Sequence, residues 1–454
     1  MSSARDDATL ATAIAALHNN VHYLGAIAQM TGRRQVVVTQ TVVSDSGAPL
    51  LEKGTVLGGD LLALLAGHRL PAPLDAQLEV SEPVDIGLLH VEMTRLLSEH
   101  PLGRLLAADL GAEGAILGRA LRLMPWPHAA RFKMTVVQDQ LPLLFEHSVL
   151  MAMVSVFLAI RAGWDEAQCA RLAAAALLHD VGMLYMSNAW ADAEYRLSER
   201  ERVQLAAHSI TGSMVVQSMG AYPFSVEDAV LEHHECMDGS GYPRHLMGEA
   251  ISPMGRILVV AEVVSAFFGK YKAIAGERLS LALRLNSRRY PAEQVAPVLA
   301  LLQRDAAAAA PPAVDVVLRD CQAVATVLQY WASCKRVLPE QWQAQSGSRA
   351  LMWVDARMRA IELSLTESGA HPRSQDDWRA IFAQMPESVA ELGLIHREVL
   401  WQMDSCMDTC QRRWPPTQPV QSTAERALWT WIHSSRKVLG QGTAATEPDA
   451  PQPQ

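Results

Sequence analysis

Five histidines recur through the middle of the chain at intervals that fit one helix and one loop. Successive positions are about 25 to 32 residues apart, which a helix of ~15 to 20 residues and its connection fill. The segments between them are rich in alanine, leucine and valine, with apolar residues at helical spacing. Each position is therefore predicted to face the centre of a helical bundle. The positions, with their neighbouring or following carboxylates, are His147, His179-Asp180, His208, His233-His234 and Glu262.

A buried cluster of these side chains is predicted to hold metal ions. Burying the pair His179-Asp180 is costly unless both groups find partners. Neutral imidazoles and carboxylates together suit iron, manganese or zinc ions. Five histidines and two carboxylates are too many for one octahedral ion with open positions, so we expect two ions that share a carboxylate. Two ions ~3.5 to 4 Å apart can activate a water as hydroxide and neutralise a phosphate oxygen, which favours hydrolysis of a phosphodiester.

Composition excludes several classes of protein. The chain has 454 residues, of which 50% are hydrophobic and 19% charged, so it can build packed cores and is not wholly disordered. Its formal charge of -9 disfavours binding to duplex nucleic acid or to an anionic membrane. The six cysteines are scattered, the longest apolar run is Ser148–Ile160, and the start MSSARDDAT lacks a signal-peptide pattern. We therefore expect a cytoplasmic protein without a membrane span.

The chain is expected to be mainly α, with a small α+β domain before the all-helical metal-binding bundle and a helical domain after it. Residues 35–57 are rich in β-branched residues and turn signals, which predict two or three short strands between helices over 8–30 and 59–67. Eight of the eleven tryptophans follow residue 306, which indicates a folded domain there. The expected divisions are an α+β domain (1–84), a helical connector (85–140), the catalytic bundle (141–305), a C-terminal helical domain (306–439) and a disordered tail (440–454).

Three motifs within residues 141–275 resemble the HD-GYP domain, a branch of the HD superfamily of metal-dependent phosphohydrolases. They are His179-Asp180-Val181-Gly182, then His208 with Gly212, then the run HHECMDGSGYP from His233 to Pro243. The first motif alone is weak, but the third motif, placed after the other two, is specific. We name its last six residues, Asp238–Pro243, the GYP loop. The resemblance covers less than a third of the chain, and residues 35–75 resemble more weakly a small module that often precedes such domains.

The resemblance implies an all-helical phosphodiesterase with two divalent ions, iron or manganese. It implies hydrolysis of cyclic di-GMP, or a related cyclic dinucleotide, to linear pGpG or GMP, with His179 and Asp180 at the catalytic centre. Carried over by position, one ion is held by His147, His179, Asp180 and Glu262. The other ion is held by Asp180, His208, His233 and His234, so that Asp180 bridges the two.

The GYP loop is expected at the mouth of this site, where it contacts the substrate or a signalling protein. Its expected substrate-binding residues are Gly239, Gly241, Tyr242 and Pro243. Lys270 and Lys272 follow the last ligand, where the family has a basic stretch, and could offer cations to a phosphate. The regions that flank the bundle are expected to regulate it or to form a homodimer.

Four positions depart from the family and leave the activity open. Glu262 replaces an Asp ligand and adds one methylene, and Ser265 replaces a second Asp of the same motif. Met183 stands where a Lys is usual, and Leu143 stands where some members have a Glu for a third metal. Two alternatives therefore stay open. One is a degenerate member that senses cyclic di-GMP or binds a protein without turnover, and the other is a hydrolase of a different nucleotide.

Overall fold

The computed structural model describes residues 12–443, apart from residue 66 and residues 188–198, 272–274, 307–311, 345–346, 373–374, 386–387 and 416–421. The described chain is mainly α, as predicted. Its contacts divide it into two units. The first comprises the chain up to Gly276 together with Ser287–Asp305, and the second comprises Glu277–Asn286 and the chain from Ala306.

Short strands and helices form the N-terminal part of the first unit. In chain order they are α1 (Val21–Met30), β1 (Val36–Val38), β2 (Val42–Val43), β3 (Pro49–Leu51), α2 (Leu61–Leu65) and β4 (Leu78–Val80). β1 pairs antiparallel with β4, and β2 pairs antiparallel with β3. The first and last residues of β1 and of β4 are buried, so these strands present one face to the core.

Two local predictions for this region are wrong. The helix predicted over 8–30 is interrupted at residues 18–20, because Asn20 caps α1. Its Oδ1 accepts hydrogen bonds from the backbone N–H groups of His22 and Tyr23 at 3.0 and 3.1 Å. β4 lies beyond the predicted strands, and its three residues are too few for the alternation that identifies a strand.

Helices follow one another from Ile86 to Ala306. A 3-10 helix, Val181–Tyr185, directly follows His179-Asp180 and contains Gly182 of the first motif. In chain order the helices are α3 (Ile86–Glu99), α4 (Pro101–Leu110), α5 (Ala115–Leu123), α6 (His128–Gln140), α7 (Pro142–Arg161), α8 (Glu166–Leu178), α9 (Glu199–Ala206), α10 (His208–Ser218), α11 (Phe224–Glu232), α12 (Pro253–Tyr271), α13 (Ala275–Leu285) and α14 (Ala292–Ala306).

α7 is a core helix of the first unit. It begins at Pro142, where the missing N–H of proline costs no helical hydrogen bond, and it is therefore longer than the apolar run Ser148–Ile160. By length and composition it is the one described helix that could cross a membrane, but 72% of its apolar window is buried inside the protein. Helices that are apolar on every side are typical of the centre of a bundle.

The described part of the second unit is helical, with tryptophans at its centre. Trp331 and Trp431 pack edge to face with ring centroids 4.9 Å apart. The indole N–H of Trp331 donates to Asp355 at 3.2 Å, and that of Trp431 donates to the carbonyl of Val327 at 3.4 Å. The helices are α15 (Val314–Arg336), α16 (Ser348–Glu367), α17 (Gln375–Gln384), α18 (Ser388–Arg413) and α19 (Thr423–Thr443).

Both ends of this helical region differ from the expected divisions. Leu281 and Leu285 of α13 belong to the core of the second unit, although the sequence assigned them to the catalytic bundle. α19 continues to Thr443, past the residue at which the disordered tail was expected to begin. Leu439 packs against the same core, which extends the helix to this point. The rest of the expected tail lies outside the described residues.

Candidate metal centre

The residues predicted to bind metal converge although they come from separate helices. His147 lies in the second turn of α7, His179-Asp180 follows α8, and His208 begins α10. His233-His234 follows α11, and Glu262 lies midway along α12. Donor atoms of these residues form two groups, and within each group all lie within 4.8 Å of one another. The groups are His147, His179 and Asp180, and Asp180, His208, His233 and His234.

Two carboxylates lie among these histidines, and one of them belongs to both groups. Oε2 of Glu262 lies 3.0 Å from Nε2 of His147 and 3.5 Å from Nε2 of His179, so Glu262 joins the first group. Asp180 faces both groups. Its Oδ2 lies 3.2 Å from Nε2 of His179, and its Oδ1 lies 3.1 Å from Nε2 of His208. A carboxylate shared between two ions requires this placement.

The buried imidazole rings are held with Nε2 toward the centre. Nδ1 of each ring donates to the backbone carbonyl three residues earlier. The pairs are His179 with Ala176 at 2.7 Å, His208 with Leu205 at 2.6 Å, and His233 with Val230 at 2.7 Å. Because a carbonyl oxygen only accepts, each Nδ1 carries the hydrogen. In a neutral ring Nε2 then presents a lone pair, as in a histidine that binds a metal.

The centre therefore has more acceptors than donors. Nε2 of His208 and Nε2 of His233 lie 3.1 Å apart, and the latter is 3.6 Å from Oδ1 of Asp180. Nε2 of His179 is buried and makes no well-oriented hydrogen bond within the described chain. Lone pairs this close repel each other unless positive charge lies between them. The residues fit divalent cations, which bind imidazole and carboxylate alike.

The carboxylates and histidines of this centre shift one another's pKa values. Burial lowers the pKa of His179, but the carboxylates of Asp180 and Glu262 outweigh it and raise this pKa to about 10. Burial lowers the pKa of His234 to about 2, and the neighbouring His233 lowers it in the same direction. Burial raises the pKa of Asp180, but the histidines, His179 first, hold it well below its usual range. A buried network of perturbed titratable groups is typical of functional sites.

Two glycines of the motifs allow the segments that carry the histidines to touch. A Cβ on Gly182 would lie 2.1 Å from the backbone oxygen of His208. A Cβ on Gly212 would lie 3.2 Å from the backbone oxygen of His179. The 3-10 helix and the start of α10 can approach this closely because neither glycine has a side chain. The approach brings His208 to Asp180.

The GYP loop folds back onto the second group. The ring of Tyr242 stacks on that of His234, with centroids 4.8 Å apart and planes 28° apart. The backbone N–H of Tyr242 donates to the carbonyl of His234 at 3.1 Å. Gly239 has a φ of 76°, which favours glycine, and a Cβ on Gly241 would lie 2.3 Å from the backbone nitrogen of Cys236. The substrate contacts predicted for this loop stay a prediction.

The structure places no charge from the other residues of interest in the sequence beside the two groups of donor atoms, within the part of the chain that it describes. Lys270 is exposed near the end of α12, two helical turns or ~12 Å along the axis from Glu262. Lys272 lies outside the described residues. Met183 is buried in the 3-10 helix. Ser265 is buried, and its hydroxyl makes no hydrogen bond within the described chain.

Three carboxylates beside the histidines point elsewhere. Glu146 pairs with Arg95 at 2.6 Å, so it does not join the donor atoms around His147. Glu232 and Glu235 are buried and bind backbone N–H groups of the chain that returns from the GYP loop. Sequence reasoning gave neither residue a role. The sequence feature that could have indicated a role for Glu235 was its place in the third motif. For Glu232 it was the position of a carboxylate at the end of an apolar helix.

The converging residues fall inside a stretch that matches a known family. Residues 131–287 match the family described as HD domain. The chain carries an HD domain. HD domains are metal-dependent, and both groups of donor atoms lie within the matched residues.

Curated relatives match part of this chain at about 30% identity. The 3'3'-cGAMP-specific phosphodiesterase 3 of Vibrio cholerae is 33% identical over 131 residues, which are 29% of this chain and 28% of the relative. The cyclic di-GMP phosphodiesterase PdeB of Borreliella burgdorferi is 31% identical over 26% of this chain and 31% of its own. The cyclic di-GMP phosphodiesterase PA4108 of Pseudomonas aeruginosa is 28% identical over 27% of this chain and 30% of its own.

The chain thus spans less than a third of the length of each of these relatives. A solved structure, the HDG"Y"P protein Bd1817 of Bdellovibrio bacteriovorus, is 14% identical and covers 60% of this chain and 99% of its own. Its TM-score of 0.33 is too low to support a statement about the fold. The names of the relatives agree with the resemblance of the motifs to HD-GYP proteins.

Proposed function

We propose that this HD domain is a phosphodiesterase that opens cyclic di-GMP by hydrolysis to pGpG or GMP. One observation carries the proposal: Asp180 faces two groups of donor atoms at once. Two ions that share a carboxylate are suited to the hydrolysis of a phosphodiester. The relatives named cyclic di-GMP phosphodiesterases support this choice of substrate.

Two divalent ions, iron or manganese, are the proposed cofactors. When bound, such ions lower the pKa of a water and neutralise charge on a phosphate. The residues proposed to hold the first ion are His147, His179, Asp180 and Glu262. The residues proposed to hold the second ion are Asp180, His208, His233 and His234. The additional methylene of Glu262 is compatible with this role, since its carboxylate reaches both histidines of the first group.

The chain itself holds this geometry before the substrate binds. The backbone carbonyl behind each ring keeps the hydrogen on Nδ1, so the Nε2 lone pairs of His179, His208 and His233 face the centre. Asp180 lies 3.2 Å from Nε2 of His179 and 3.1 Å from Nε2 of His208, and it forms the proposed catalytic pair with His179. Burial keeps bulk water away from these groups, and electrostatic contacts are stronger in the resulting low dielectric.

The GYP loop and the lysines are the proposed substrate contacts. Tyr242 has one face on His234, and its other face can stack on a guanine base while its hydroxyl donates to a phosphate oxygen. Gly239 and Gly241 allow the backbone to come close to a ligand. Pro243 completes the loop, and Lys270 is the described cation after the last ligand.

A second candidate substrate is 3'3'-cGAMP. Two relatives named 3'3'-cGAMP-specific phosphodiesterases are 33% and 32% identical to this chain over 131 residues. The two dinucleotides differ in one base and have the same phosphodiester linkages, so a metal centre alone does not distinguish them. Discrimination depends on the residues that contact that base.

The test is hydrolysis by the purified protein loaded anaerobically with Fe(II) or Mn(II). Cyclic di-GMP and 3'3'-cGAMP are offered separately, and metals per chain are counted. The variant His179→Ala/Asp180→Ala should lose both metal and product. The control His371→Ala/Asp376→Ala removes the same residue types from exposed positions of the second unit and should keep both.

Each result has a distinct meaning. Product from the wild type and the control, but not from the variant, supports a phosphodiesterase at these residues. If only 3'3'-cGAMP yields product, the proposed substrate is 3'3'-cGAMP and not cyclic di-GMP. Two bound metals and tight binding of a dinucleotide without product would instead favour a sensor, for which the missing cation at Met183 is the physical reason.

A further inference from the structure

The buried carboxylate of Glu235 binds the chain that returns from the GYP loop. Glu235 is 1% exposed and directly follows the two histidines of the third motif. Its Oε1 accepts a hydrogen bond from the backbone N–H of Arg244 at 2.6 Å, and its Oε2 accepts one from the backbone N–H of Leu246 at 3.0 Å. Both oxygens are therefore committed to the backbone of the return segment, residues 244–252.

The residue between these two amides has an unusual backbone conformation. His245 has a φ of 55°, in the left-handed region that costs energy for a residue with a side chain. A left-handed residue turns the flanking N–H groups toward one side, where a single anion can accept from both. The carboxylate of Glu235 stabilises this turn by accepting from both sides of it.

A second buried carboxylate strengthens the same attachment. Glu232 is 2% exposed and accepts from the backbone N–H of Ser252 at 2.8 Å. It also accepts from the guanidinium of Arg244. The end of α11 thus binds the return segment near its start and at its end.

This attachment determines where Tyr242 lies. Tyr242 is two residues before Arg244, so its backbone is confined between the return segment and the end of α11. Within that span its N–H donates to the carbonyl of His234, and its ring stacks on the ring of His234. The close approach at Gly241 leaves no room for the loop to move inward.

We propose that Glu235 is a positioning residue that holds the GYP loop over the candidate metal centre and thereby sets the affinity for the cyclic dinucleotide. The inference rests on the proposed function for its substrate. Glu235 acts through Tyr242 and the loop backbone, and its side-chain oxygens bind backbone amides rather than the donor groups. Its loss should therefore weaken substrate binding and leave the metal ions in place.

The test compares Glu235→Gln with the wild type, both as the full metal-loaded chain. Glutamine keeps the size of the side chain but has one acceptor oxygen, and its NH₂ group meets a backbone N–H, so one of the two bonds is lost. We expect amide hydrogen exchange in residues 244–247 to speed up about tenfold and KM for cyclic di-GMP to rise about tenfold. Metals per chain and kcat should stay near the wild-type values.

Two control variants test whether the effect comes from the hydrogen bonds of Glu235. One tests the loss of any carboxylate from this region, and the other tests the strained backbone at His245. Glu249→Gln removes an exposed carboxylate from the same return segment and should change neither exchange nor KM. His245→Gly removes the side chain at the left-handed position, which glycine adopts freely, and should keep the amides of residues 244 and 246 protected.

Three results would overturn the proposal: unchanged exchange in Glu235→Gln, loss of metal from that variant, or a fall in kcat with KM unchanged. Loss of metal would place Glu235 in the support of the metal centre, and a fall in kcat alone would place it in the chemical step. Failure of the proposed function has a different appearance, because the wild type would then neither hydrolyse nor bind cyclic di-GMP. In that case the exchange measurement alone decides whether Glu235 holds the loop.

Discussion

Two buried polar clusters in the first unit differ in whether their charges balance. In the metal-type cluster around Asp180, histidine Nε2 atoms and carboxylate oxygens face one another at 3.0 to 3.6 Å. In the second cluster, Nζ of Lys133 lies 2.6 Å from Oδ2 of Asp75, and both residues are nearly inaccessible. The ring of Tyr23 lies beneath Lys133 and stacks on that of Tyr185, with centroids 4.8 Å apart.

The clusters differ in the source of their positive charge, which is a lysine side chain in one and proposed metal ions in the other. Lys133 supplies the positive charge that Asp75 requires, so this pair contributes to the fold without a ligand. The cluster around Asp180 contains no lysine or arginine among its donor atoms, and its positive charge without metal is the proton that the raised pKa of His179 retains. Metal ions are proposed to take the place of that proton. His396 in the second unit is a simpler case, since it is fully buried and its Nε2 donates to the carbonyl of Ala370 at 2.9 Å.

The largest effect is expected from breaking the balanced cluster. Lys133→Met leaves the buried carboxylate of Asp75 without a cation and should lower the free energy of unfolding by about 3 to 5 kcal/mol. Urea denaturation measures this loss. The double variant Lys133→Met/Asp75→Leu should recover most of it, because an apolar pair can replace a buried ion pair. A double variant as unstable as the single one would show that the charge balance is not the cause.

The cluster around Asp180 should respond to metal instead. With Mn(II) at one hundred times the dissociation constant of each site, the wild type should gain about 2.7 kcal/mol in free energy of unfolding for each bound ion, since binding to the folded state alone stabilises it. The share of the gain that comes from the second ion should disappear in His208→Ala/His233→Ala, and the whole gain should disappear after chelation. An equal gain in that variant would place the bound metal at another site and remove the contrast between the two clusters.

Packing around the motif glycines should have an intermediate effect. Gly182→Ala places a methyl against the backbone oxygen of His208, so the free energy of unfolding should fall by about 1 to 3 kcal/mol and metal retention should fall with it. The control Gly269→Ala, where no atom lies within 4 Å of the added Cβ, should be neutral or stabilise α12 by up to about 1 kcal/mol. Similar losses in both variants would rule out the close approach as the cause.

The smallest effect is expected from the buried histidine without a carboxylate. Burial lowers the pKa of His396 below its usual value, although its bond to Ala370 opposes this. The unfolded chain therefore binds a proton that the folded chain does not, and this contribution to stability falls as the pH drops from about 6.5 toward the folded-state pKa, by at most about 1.4 kcal/mol per pH unit. Comparing the pH slope of unfolding in the wild type and in His396→Gln measures it. Identical slopes would contradict the assignment.

Much of the fold follows from local patterns. Helical periodicity and apolar composition predicted the mainly α chain, and β-branched residues predicted the three strands before residue 57. Where the pattern was too short or a side chain capped the backbone, prediction failed, as at β4 and at Asn20. The tertiary packing of Leu281 and Leu285 into the second unit has no local signal, because a helix carries the same apolar stripe whichever core it joins.

The sequence by itself indicated which side chains converge, because donor residue types at one-helix intervals, in a specific motif order, have few other uses. Only the tertiary structure decided how they face one another: that Asp180 lies between two groups, that Nδ1 of each buried ring is tied to a backbone carbonyl, and that Glu235 binds the backbone of the return segment. These relations join residues through space and through backbone atoms, which every residue shares. A sequence records side-chain identity, and it does not record which backbone amide a carboxylate will reach.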